Sequence, residues 1–201
     1  MCTSGGSSSP PHPGFVRKQS MKTNSQEPID LKFFLLFIPA AFVSYLFHEF
    51  GHWTVGEILG NRMVFSLNYV WPEDGHYIRA SDELYSSIGG PAFNILQATV
   101  ALAIIEKLRT LYAYPFAFFA MFSRLFSDLL GGFAKQDEAR IAVLIGTSTY
   151  LVALIVLAVL LLIVIRCSHK LRLDLKANGY IVTASTLCQL SVIATYTYFK
   201  V

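Results

Sequence analysis

From Ile141 to Ile165 the chain carries no charged side chain. A run of that length and character suits few environments, and a hydrocarbon layer about 30 Å thick is the foremost of them. No water is available there to hydrogen-bond the backbone, so a crossing segment must be a helix or part of a closed barrel. The run from Ser86 to Ile105 repeats the pattern, as does the one from Phe33 to Phe47. An all-α integral membrane fold follows as the expectation. Composition points the same way: 54% of the 201 residues are hydrophobic and 14% charged, against about a quarter charged in soluble domains.

The predicted architecture is a bundle of about five transmembrane helices. The spans are placed at 31–52 (with helix continuing to Leu59), 86–105, 110–123, 141–165 and 177–199, the last being the most polar. Residues 1–30 are rich in Ser, Gly, Pro and polar side chains and read as a disordered tail, which leaves 31–201 as one polytopic membrane domain. Pro39 should kink the first span. Gly60-Asn61 ends it. Met63 to Trp71 is β-rich and partly alternating, and Pro72-Glu73-Asp74-Gly75 is turn-like, so a short β-hairpin or extended loop is expected at the bilayer interface.

With five spans and a cytoplasmic tail, ten Lys and Arg fall on the tail's side and five on the other. A multi-pass protein with its N-terminus in the cytoplasm is therefore expected. The three cysteines, Cys2, Cys167 and Cys188, have neither paired spacing nor a Cys-x-x-Cys arrangement, which argues against disulfides and thiolate metal sites. No basic patch interleaved with aromatics is present, so nucleic acid is not an expected partner.

At the end of the first apolar run stands His48-Glu49-Phe50-Gly51-His52. Residues four apart share a helix face, so both imidazoles can aim at one metal ion, and Glu49 can act as general base toward a water there. Ionisable groups at the end of a membrane-length helix are costly to place and point to function. A hydrolytic zinc site takes three protein ligands and leaves a position for water. The third ligand is open among Asp137, Asp128, Glu138 and His76. Asn94, on the second span, needs a hydrogen-bond partner whatever its role.

The chain resembles the site-2-protease-like intramembrane zinc metalloproteases (peptidase family M50). The resemblance rests on His48-Glu49-Phe50-Gly51-His52 closing an apolar helix, on Gly89-Gly90-Pro91-Ala92-Phe93-Asn94 opening a later one, and on Asp137-Glu138-Ala139-Arg140-Ile141. In the third stretch Glu138 and Ala139 stand where the family has glycines, and Arg124-Leu125-Phe126-Ser127 lacks the family's asparagine and proline. The resemblance implies a zinc-dependent metallopeptidase with Zn2+ held by His48, His52 and Asp137, with Glu49 as base and Asn94 as a substrate or oxyanion contact. Its substrates would be membrane-protein or peptide chains cleaved within the lipid bilayer. A non-proteolytic metal-binding membrane protein, either a transporter or an inactive homologue that binds clients, is the alternative.

Overall fold

The computed structural model describes residues 29–66 and 69–199. The expected tail falls, up to position 28, outside these residues. Asp30 opens the first helix by accepting a 2.9 Å hydrogen bond from the Phe33 N–H, and α1 (Leu31–Leu35) passes through a single turn at Leu36 into α2 (Phe37–Ile58). Pro39 has no N–H, so the carbonyl of Leu35 four residues back loses its helical partner, and the interruption falls beside it. Strands β1 (Met63–Phe65) and β2 (Val70–Pro72) pair antiparallel with Val64 opposite Trp71, which is the hairpin expected after the first span.

Helix α3 (Ala80–Leu108) is followed by α4 (Tyr114–Phe126), which runs on through a π-helical turn at Ser127–Gly132 and a 3-10 turn at Phe133–Lys135. Then come α5 (Asp137–Leu144), α6 (Thr149–Leu171) and α7 (Leu175–Phe199). Among the described residues, four helical segments are long and apolar enough to cross a membrane: Leu31–Ile58, Ala80–Leu108, Leu111–Lys135 and Thr149–Leu171. Helix α7 matches the expected fifth span in length. It carries the polar Thr183, Ser185, Thr186, Gln189 and Ser191, and it is not among those four.

The expected span at 141–165 needs correction, because it is broken in two. Gly146 adopts φ +72°, its N–H bonds to the Val143 carbonyl at 3.1 Å, and the Thr147 N–H bonds to that of Ala142 at 2.8 Å. This pair of bonds is the glycine-terminated helix stop that satisfies the last carbonyls of α5. An uninterrupted count of uncharged residues does not register it. The consequence is that Asp137 rides on a short separate helix and not on the membrane-length one.

Between helices in lipid there is little hydrophobic drive, and close packing of small residues takes its place. The buried stripe of α2 runs through Phe37, Ala40, Ala41, Ser44, His48, Gly51 and His52. That of α3 runs through Ser86, Gly90, Asn94, Ala98 and Ala101. They touch most closely where Gly51 meets Gly89, since a Cβ on either would collide with the other's backbone carbonyl. Away from the site, Phe33, Phe37, Tyr114, Phe118, Phe119 and Phe122 form a buried aromatic cluster that fixes α4 against α2.

Candidate metal centre

The middle of α2, the first half of α3, the C-terminal end of α4 and the start of α5 converge on a cavity of about 290 Å3. His48 and His52 lie one helical turn apart on α2, and both turn Nε2 toward Asp137 of α5. Asp137 Oδ2 is 3.0 Å from His48 Nε2 and 3.3 Å from His52 Nε2, and the two Nε2 atoms are 3.1 Å apart. Among the described residues these three form the one cluster of His, Cys, Asp or Glu able to share a metal ion. Bonds of about 2.0 Å at tetrahedral angles put ligand atoms about 3.3 Å apart. The observed triangle is within a few tenths of an ångström of that. Donor chemistry fits as well, with two imidazole nitrogens and one carboxylate oxygen, the mix zinc accepts.

Supporting contacts orient both rings. His52 Nδ1 is 2.7 Å from the Ser86 carbonyl, which can only accept. That places a proton on Nδ1 and turns Nε2 toward Asp137 and the cavity, the arrangement found behind metal-bound histidines. The Ser86 hydroxyl returns a 3.1 Å bond to the His52 carbonyl, and the Tyr77 hydroxyl donates to Ser86 Oγ at 3.3 Å. Burial pushes the Tyr77 phenol above its ordinary value, so it stays protonated as that donor. Gly90 supplies the space, since a Cβ there would strike both imidazoles.

Burial would raise the Asp137 carboxyl, but hydrogen bonds from His48 and His52 outweigh it and hold the group well below the ordinary carboxylate value. Glu49 is buried on α2 and lines the same cavity. Asn94 is fully buried on α3, with Nδ2 3.1 Å from His48 Nδ1.

The other candidates for third ligand lie elsewhere. Glu138 is tied to Arg124 through 2.7 and 3.1 Å bonds. Asp128 is buried in the π-helical turn, outside the cluster. His76 sits in the exposed turn, 2.9 Å from the Asp74 carbonyl.

Arg124 is the site residue that sequence reasoning missed. Its guanidinium is buried, with Nη1 3.2 Å from His48 Nε2 and Nη2 3.8 Å from Asp137 Oδ2. The signal was present: a cation within an aromatic-rich, membrane-length segment demands an anionic partner. No family model, curated protein or solved structure matches the chain.

Proposed function

We propose that this chain is an intramembrane zinc metallopeptidase, similar in its site to the site-2-protease group, that hydrolyses peptide bonds of membrane-embedded substrates. The observation that carries the reading is the meeting of His48, His52 and Asp137 at tetrahedral spacing with Glu49 in the same cavity. A zinc ion bound by these residues would polarise a carbonyl and acidify water. The chain's own residues account for the rest. Glu49 takes the proton of the attacking water and delivers it to the amine nitrogen as the peptide C–N bond breaks. Tyr69 and Val70 bring β2 to the cavity. Among the described residues each strand of the two-stranded sheet is paired on one side only, so an unwound substrate can add to it as a further strand.

The test is Glu49→Gln in protein reconstituted with a helical membrane substrate. Cleavage should vanish while bound zinc persists; continued turnover by the variant refutes the mechanism. A second reading, metal holding without turnover, is favoured by Arg124, whose Nη1 faces the very nitrogen a metal would use. Stoichiometric zinc in wild-type protein that cleaves no membrane substrate selects that reading.

A further inference from the structure

The Asn94 amide has one orphan atom. Nδ2 is 3.1 Å from His48 Nδ1, whereas Oδ1 is buried with no hydrogen-bond partner among the described residues. A buried amide oxygen without a donor forfeits the hydrogen bond it would make to water, and such orphans in a well-packed site call for a reason. The ring beside it supplies one.

His48 can carry its single proton on either nitrogen. With Nδ2 donating to Nδ1, the ring proton sits on Nε2 and bonds to Asp137 Oδ2 at 3.0 Å. With the proton on Nδ1, Nε2 is free to accept from Arg124 or to ligate a metal. Half a turn about χ2 of Asn94 exchanges its two ends and gives Oδ1 the Nδ1 proton to accept. An amide can serve both ring forms; a carboxylate can serve only the second. His52 has no such choice, because the Ser86 carbonyl accepts and cannot donate.

We propose that Asn94 is a positioning residue that sets which nitrogen of His48 bears the proton, turning its amide as His48 becomes a ligand. This rests on reading His48, His52 and Asp137 as metal ligands. It assigns Asn94 to the histidine, not to the substrate. Second partners of this kind are worth about 10–100-fold in metal affinity.

The test uses the full chain in detergent micelles with Zn2+ as the probe. Asn94→Leu should bind Zn2+ about 10–100-fold more weakly, and Asn94→Asp should bind at least as tightly as wild type. In the presence of a chelator, 15N spectra of the histidines should show Asn94→Asp moving the His48 population toward Nδ1–H. Equal affinity of Asn94→Leu and wild type, or an unmoved His48 spectrum in Asn94→Asp, overturns the proposal and leaves the ligand assignment standing. Should wild type take up no Zn2+, the ligand assignment fails and this inference with it. Should Asn94→Leu not fold, as read by its thermal unfolding, the Asn94→Asp spectrum and affinity decide alone.

Discussion

Gly90→Ala separates the site from the fold. In a helix interior the change normally stabilises by roughly 0.5–1 kcal/mol, because glycine loses more backbone freedom on folding. Here the new methyl group would occupy the space of His52 Nε2 and His48 Cε1. The neighbours it strikes are the far ends of side chains, so the cheapest relief is rotation of the imidazoles with loss of the His52–Ser86 bond. That bond is worth about 1 kcal/mol. The two terms nearly cancel, and thermal stability in detergent should move by less than about 1 kcal/mol. Metal affinity should not survive. Both imidazoles leave the positions that match tetrahedral spacing, which should cost more than the 10–100-fold seen for disturbed supporting contacts. We expect at least about 100-fold, or about 2.8 kcal/mol at 1.4 kcal/mol per decade. Gly179→Ala on α7 is the control, since its Cβ would meet nothing within 4 Å; it should gain stability and bind as wild type does. The assay is Zn2+ competition with a chromophoric chelator beside a melting curve for each protein. Wild-type affinity in Gly90→Ala would refute the assignment of the two histidines.

Three other expectations follow from the same geometry. Asp137→Ala should lose stoichiometric zinc while Asp128→Ala retains it, read by elemental analysis of purified protein; the reverse pattern would move the third ligand to α4's continuation. Glu138→Ala leaves the Arg124 guanidinium buried without its bidentate partner, a defect worth about 3–5 kcal/mol, so its melting temperature should fall well below that of Glu49→Gln. The Asp137 carboxyl is held below its ordinary value, so its contribution to stability is complete above about pH 4 and lost as pH falls through the folded value. Acid melts should therefore show a loss below about pH 4 in wild type that Asp137→Asn lacks.

How much of this was legible in the sequence depends on the range of the interaction. The motif His48-Glu49-Phe50-Gly51-His52 is self-contained: helical spacing puts both imidazoles on one face, whatever surrounds them. The apolar runs likewise announce helices, because lipid leaves the backbone no other option. Gly146 was visible as a residue but not as a helix stop, since its left-handed conformation emerges only with the two hydrogen bonds that close α5. Ligand chemistry and the resemblance both favoured Asp137 over Asp128, but neither gives the contact itself. The distinction lies in a contact closed between positions 89 apart in the chain. Arg124 and Glu138 were each read singly, although neither is tolerable alone in a buried setting.

The site is thus assembled from two halves, the second of which adds a buried charge pair to its packing. One half, His48, Glu49, His52, Ser86 and Asn94, sits on α2 and α3, which are locked where Gly51 and Gly89 bring backbone to backbone. Packing of that kind is short-ranged and stiff, so it fixes the imidazoles whether or not a third ligand arrives. The other half is Asp137 alone, on a short helix cut off from α6 by the Gly146 stop. That helix is tied to the centre by packing of its buried Ala139, Ile141 and Ala142 and by the Arg124–Glu138 pair, one buried guanidinium spanning α4 and α5. A charge pair is directional but yields to anything that competes for the guanidinium, and Asp137 itself lies within 3.8 Å of it. On the proposed reading, Arg124 would both help deliver Asp137 and contend with a metal for it. Damage to the glycine contact should disorder the whole centre, whereas loss of Glu138 should leave two histidines in place with their carboxylate partner set loose.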